Sequence, residues 1–319
     1  MTQTWQAGLL GSVDGLGPWF RGRVVPEADA SDTVVPAKSY LEIDFLRDAV
    51  VRTTATPPRA DESGQDDGPA EATLDETQLG AAVSRFTRHY TASLTAAALA
   101  GLSNGVGVDL AIGHCAIIER NNIPMTLVLD GLPALDGGPT GATGDELRRH
   151  AWRKLYAEHL APLFDAMGEV AKGGTRLAWT NATEWVVYVM DAAEINLDAT
   201  AAKPIRDECK TLLAAERLPG LDDRANPLHD RMEWPAGDGN GFPEVVPTRK
   251  LCCLSYLISD RSARLCATCP HLPLEDRISL LRERHGVSTG APEGAAEKRS
   301  IEVGMNRPSF RRAADRRNS

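Results

Sequence analysis

Four of the six cysteines fall within 18 residues: Cys252 and Cys253 side by side, a spacer of twelve, then Cys266-Ala267-Thr268-Cys269. A Cys-x-x-Cys turn sets two sulfurs on one short loop. A second pair makes four, the number taken by an iron–sulfur cluster or a structural zinc. Any fold of this chain must therefore either join the two pairs or bury four thiols as small apolar side chains.

The spacer reads as a hairpin. Leu254, Tyr256 and Ile258 suit a strand, Ser259 to Ser262 a turn, and Arg264-Leu265 a return. Centred between Ser259 and Asp260, this register sets Cys253 opposite Cys266, where paired Cα atoms lie about 4.5–5.5 Å apart. Adjacent strand residues point to opposite faces, so the backbone must bend sharply for Cys252 and Cys253 to serve one centre. Zinc modules usually separate each ligand pair by about two to four residues, and the common ferredoxin spacings differ as well. Spacing alone leaves zinc and iron–sulfur open.

The rest of the chain predicts a mainly helical α+β fold. Of its 319 residues, 42% are apolar and only 5% aromatic, so Leu, Val and Ala must build the core. Leu41, Phe45, Leu46 and Val50 mark a short helical stripe. Leu79, Val83, Phe86, Tyr90 and Leu94 mark a longer one that ends near Asn104-Gly105. The period then shortens: Val108 to Ile118 and Met125 to Leu129 flank Asn121-Asn122, a β-hairpin pattern. Thr143 with Glu146 forms a capping box opening a long helix that Pro162 should kink or split. Further helices are expected around Trp179 to Met190 and over Ile205 to Ala215. Trp152, Trp179 and Trp185 read as core, as does Cys115; Cys209 lies on an expected helix whose spacing leaves it buried or exposed, and His271 is not needed as a ligand beside four cysteines.

Three parts follow. Residues 1–240 are a mainly helical substrate domain with a β-hairpin or small sheet, interrupted by a disordered acidic loop at 54–76. Residues 241–288 are a small cysteine module, and residues 289–319 are a disordered basic tail. The net charge of −9 argues against nucleic acid as a partner. No run reaches the ~20 apolar residues of a membrane helix. No basic segment followed by an apolar stretch opens the chain, so a cytoplasmic location without stable membrane insertion is expected. There is no Walker loop and no Rossmann fingerprint, so electrons for any redox step should come from a partner.

The segment Arg249 to Pro270 resembles the C-terminal motif of the FhuF-like ferric-siderophore reductase family. That motif is Cys-Cys, a spacer, and Cys-x-x-Cys, often with basic residues before it and Pro after it. Here Arg249-Lys250-Leu251 precedes Cys252-Cys253, Tyr256 stands where the family often has an aromatic residue, and Pro270 follows Cys269. The twelve-residue spacer is longer than the family's usual one. A weaker likeness is Leu177-Ala178-Trp179-Thr180-Asn181, similar to a family Leu-Trp-Gly-Asn stretch with Thr180 in place of Gly.

The resemblance implies a [2Fe-2S] cluster held by Cys252, Cys253, Cys266 and Cys269. It also implies one-electron reduction of an imported ferric siderophore, with an external donor such as a ferredoxin or flavin reductase. Arg249, Lys250, Arg261 and Arg264 lie close enough in sequence to tune such a cluster or contact substrate. Two other classes stay open: a zinc-stabilised binding or scaffold protein, and an iron–sulfur electron-transfer protein of a biosynthetic pathway.

Overall fold

The computed structural model describes residues 4–54, 74–135, 144–218, 225–239, 245–258 and 265–284. In chain order its elements are α1 (Thr4–Gly15), β1 (Val24–Val25), β2 (Thr33–Pro36), α2 (Ile43–Arg52), α3 (Glu76–Ser103), β3 (Gly107–Val108), β4 (Ala116–Arg120), β5 (Ile123–Val128) and β6 (Ala134–Leu135). There follow α4 (Gly144–Trp152), α5 (Ala161–Val170), α6 (Gly174–Asn196), α7 (Ala199–Ala214), β7 (Met232–Glu233), β8 (Thr248–Arg249) and α8 (Leu274–Arg284). The fold is mostly helical α+β, and none of the described helices is long and apolar enough to cross a membrane.

The long helix α3 is the centre of the molecule. Asp75 opens it with a capping box: its side chain accepts from Gln78 N–H at 2.8 Å, and Gln78 Oε1 accepts from Asp75 N–H at 3.0 Å. Asp75 and Glu76 are thus ordered helix start rather than the end of an acidic loop. Residues 55–73 of that expected loop, and the whole basic tail, lie outside the described residues. Ala81, Ala82, Ala96, Ala97 and Ala100 are all buried, so neighbours approach α3 closely on several sides. It ends at Asn104 and Gly105, whose φ of +69° is the left-handed cap that glycine takes readily.

The expected hairpin is β4–β5. Its turn is Asn121-Asn122, with φ of 51° and 61°, and two positive φ values match the twist of a tight hairpin. Sequence periodicity overextends it: Leu110 to Cys115 is not strand, and β3 pairs with β6 instead. Two short strands enlarge the hairpin into a four-stranded sheet of order β1-β5-β4-β2.

Thr143, the expected cap of the next helix, lies outside the described residues. Beyond α4, Arg153–Leu160 winds as a π-helix into α5. Pro162 lies where the π-helix passes into α5; its missing N–H forgoes one helical bond, and Glu158 O, four residues back, accepts instead from Ile112 N–H at 3.2 Å. The junction Pro162 creates is therefore a change of winding, not a break. Trp152, Trp179 and Trp185 are buried as expected. Helix α6 packs on α3, α5 and α7.

Residues Met1–Val287 form one compact unit. Within it, the cysteine-bearing segment has a small apolar core of its own, built from Val246, Ala267, Ile278 and Leu281. It also meets the helices through Leu254, which lies against Gly80 of α3, and through polar contacts of Arg249 and Thr268 with α6.

Candidate metal centre

Two short backbone devices shape the cysteine segment. Arg249 N–H donates to Thr268 O at 2.9 Å, which pins the second cysteine pair beside β8. Cys269 N–H donates to Cys266 O at 2.8 Å and closes the Cys-x-x-Cys turn. The bend required by the adjacent pair falls at Leu254, whose φ is +57°, a left-handed value rare for a side chain of this kind. Its N–H turns back towards Cys252 Sγ at 3.4 Å. The expected strand from Leu254 to Ile258 is not formed: Ser255–Leu257 makes a 3-10 turn. A left-handed residue cannot continue an extended ladder, so the chain turns one residue after the pair.

The two pairs nevertheless meet. Cys252, Cys253 and Cys269 are buried and Cys266 is half-buried. Hydrogen bonds run from sulfur to sulfur: Cys252 with Cys253, Cys253 with Cys266, and Cys266 with Cys269. Shared protons split the thiols. The hydrogen bond from Cys266 brings Cys269 down to about 6, helped by a backbone N–H from His271. Cys252 is pushed up, first by its bond to Cys253 and then by burial. Cys266 is pushed up by its bonds to Cys253 and Cys269. The contacts form a chain rather than a cage: among the described residues no group of three or more His, Cys, Asp or Glu side chains closes round a common point.

Arg249 lies at the centre of the site, and its side chain is 0% exposed. Its Nη2 donates to Cys266 Sγ at 2.8 Å and its Nη1 to Asn181 Oδ1 at 3.1 Å. The Glu184 Oε2 atom lies 3.2 Å from Nη1 and 3.7 Å from Arg88 Nε. Thr268 Oγ1 donates to Glu184 Oε1 at 2.7 Å and lies 3.4 Å from Cys266 Sγ. Asn181 and Glu184 stand three residues apart on α6, hence on one face. Asn181 Nδ2 reaches across to α3, donating to Ser84 O at 2.9 Å, Ser84 Oγ at 3.0 Å and Thr87 Oγ1 at 2.9 Å.

The electrostatics close on themselves. Burial would raise the Glu184 carboxyl, but Arg249, Arg88 and the Thr268 hydroxyl hold it below the usual carboxylate range. Burial would lower the Arg249 guanidinium, but Glu184, Cys266 and Cys253 hold it firmly charged. Arg249 Nε has no hydrogen-bond partner among the described residues. In donor chemistry, though not in an arrangement about one point, four sulfurs and a buried cation donating to one of them match what an anionic thiolate-ligated group takes.

The other residues singled out by sequence divide. Lys250 ion-pairs with Asp230 at the surface, away from the thiols. Arg261 and Arg264 lie outside the described residues. Cys115 is buried in the main apolar core, as expected, and so is Cys209, whose position the sequence left open; burial raises both thiols. Glu184, Thr268, Arg88, Ser84 and Thr87 were not foreseen, because each is an ordinary polar residue in its own local stretch. The available signal was the run Thr180-Asn181 and Thr183-Glu184, four polar residues on the buried side of α6.

Two shallow clefts of about 260 and 300 Å³ lie elsewhere, one between α4 and α7 and one beside α8, and no cysteine lines either. No protein-family model matches the chain, and no curated protein matches it.

Proposed function

We propose that this chain is an iron–sulfur reductase that delivers one electron to a ferric siderophore and so releases ferrous iron. The observation that supports it best is the contact of Cys253 with Cys266 beneath the Arg249 guanidinium. It joins two cysteine pairs that are thirteen positions apart in sequence. Cys252, Cys253, Cys266 and Cys269 would hold a [2Fe-2S] cluster, which supplies a single low-potential electron when bound.

The chain's own residues have three tasks in this reading. The thiolates fix the centre. Burial of Cys252, Cys253 and Cys269 keeps water from most of it. Arg249 offsets negative charge that grows on reduction, while Glu184 keeps Arg249 from being an unpaired buried cation. The siderophore's hard oxygen donors hold Fe³⁺ much more tightly than Fe²⁺, so one electron loosens the complex without any bond being cleaved by a side chain. The electron enters from a partner such as a ferredoxin or flavin reductase, in the cytoplasm.

Anaerobic purification with iron, zinc and acid-labile sulfide assays on one sample tests this. Equal iron and sulfide, a red-brown colour bleached by dithionite, and Fe²⁺ trapped on adding a ferric hydroxamate or catecholate are expected. A colourless protein with bound zinc and no sulfide after attempted reconstitution would overturn it and leave a zinc-stapled scaffold. A bleaching cluster that reduces no ferric chelate would leave an electron-transfer protein.

A further inference from the structure

Resting on the cluster reading above, we infer that Asn181 is a positioning residue that holds the Arg249 guanidinium on Cys266, so that one of the four thiolates receives a fixed cationic hydrogen bond. Its amide orientation is determined by what surrounds it. The Nδ2 group faces three acceptors on α3: Ser84 O, Ser84 Oγ and Thr87 Oγ1. Its Oδ1 therefore faces the guanidinium and accepts from Nη1 at 3.1 Å. A flipped amide would set its N–H groups against the Arg249 guanidinium and its oxygen against the Ser84 carbonyl oxygen, donor on donor and acceptor on acceptor, which is the costly arrangement.

The result is a continuous line of hydrogen bonds from α3, through Asn181 and Arg249, to Cys266 Sγ. Glu184 supplies charge to Arg249, and Asn181 supplies direction. The distinction matters because Nε of Arg249 is held by nothing among the described residues. Without Asn181 the fork is free to pivot on its ion pair. Reduction adds one electron and so one unit of negative charge to the thiolate-ligated centre. A donor locked on sulfur stabilises that added charge and raises the reduction potential. Asn181 carries no net charge, so its removal acts through its amide dipole or through the placement of Arg249, and only the second effect vanishes when Arg249 is absent.

The test is a cycle of midpoint potentials on the full chain, reconstituted anaerobically and titrated with dithionite, for wild type, Asn181→Ala, Arg249→Gln and the double variant. Iron and sulfide are counted in every sample. Arg249→Gln is expected to shift the reduction equilibrium at least tenfold towards the oxidised state, about 59 mV for one electron. Asn181→Ala should shift it the same way in the wild-type background and add nothing in the Arg249→Gln background. Thr87→Val, a near-isosteric change remote from the sulfurs, should give a smaller shift of the same sign and serves if Asn181→Ala does not fold. An equal shift in both backgrounds, or a loaded Asn181→Ala or Thr87→Val protein with the wild-type potential, overturns the inference. A wild-type chain that takes up neither iron nor sulfide overturns instead the cluster on which it rests.

Discussion

Arg249 and Cys266 are 17 positions apart, and the guanidinium donates to the sulfur across 2.8 Å with its side chain wholly buried. A cation this deep costs several kcal/mol of desolvation unless it is paired and hydrogen-bonded. Glu184 and Asn181 meet that need from α6, so the cysteine segment is bound to the helical body by charge as well as by apolar contact.

Removing Arg249 should therefore cost more than a single lost hydrogen bond. Arg249→Met leaves Glu184 buried beside Arg88 alone, which lies at 3.7 Å. Breaking a buried pair on one side typically destabilises by about 3–5 kcal/mol, and Arg88 should hold this case to the lower end. The double variant Arg249→Met with Glu184→Met should recover much of the loss, because both buried charges go together. Urea unfolding of the reduced, metal-free protein checks both. A double variant as unstable as the single would show that Glu184 is not the residue left stranded.

Native thiol counts offer a second check. Cys115 and Cys209 are 4% and 0% exposed, and burial raises both thiols far above the usual range, so neither offers an accessible thiolate. Ellman's reagent on metal-free native protein should leave both unreacted until denaturant is added. The centre should react first, through Cys266, which alone of the six cysteines is not buried and which lies beside Cys269, the thiol brought down to about 6. Six thiols released at one rate without denaturant would contradict the burial of Cys115 and Cys209.

The helices and the hairpin were legible because their signals are local. Leu79 to Leu94 repeats at helical spacing, and Asn121-Asn122 carries the turn chemistry in two adjacent letters. That the two cysteine pairs come together was legible in their residue type and close spacing, although the hairpin expected to join them did not form. The partners of Arg249 were not, since nothing local marks Glu184 or Thr268 as facing a residue 65 or 19 positions away. The strand predicted for Leu254 to Ile258 failed on one backbone angle. Its alternating side chains fit a pleat, but the left-handed Leu254 turns the chain before a ladder can start.

Acid should destabilise the fold through His159. Its ring is fully enclosed: Nδ1 donates to Leu110 O at 2.6 Å, and Nε2 accepts from Tyr90 Oη at 2.7 Å. Burial lowers its pKa from 6.5 to about 4. The unfolded chain then takes up a proton below pH 6.5 that the folded chain refuses until about pH 4. Stability from this group is complete above pH 6.5 and is lost as pH falls to about 4, by roughly 3 kcal/mol. Denaturant midpoints measured from pH 7.5 to 4 should fall across that window, and His159→Gln should flatten the slope there. An unchanged slope in that variant would assign the acid sensitivity elsewhere.

Three glycines separate backbone crowding from helix propensity. At Gly174, the first residue of α6, an added Cβ would lie 2.2 Å from Met167 O and 2.8 Å from Met167 C. These are backbone atoms at the end of α5, and Met167 O already accepts from Ala171 N–H at 3.1 Å. No rotamer relieves the clash, so the α5–α6 junction must shift, and Gly174→Ala should destabilise by about 3 kcal/mol or slightly more. At Gly168 the nearest atom is Thr175 Oγ1, a side chain that can rotate once it gives up its 2.8 Å bond to Phe164 O. Gly168→Ala should therefore cost only about 1 kcal/mol, the worth of that hydrogen bond less the gain in helix propensity. At Gly8, on the exposed side of α1, nothing lies within 4 Å. There Ala should stabilise, by up to about 1 kcal/mol, because only the propensity difference remains. Thermal or urea unfolding of the three variants orders them, and a Gly174→Ala protein as stable as Gly8→Ala would mean that α5 and α6 do not meet as closely as their backbones are placed.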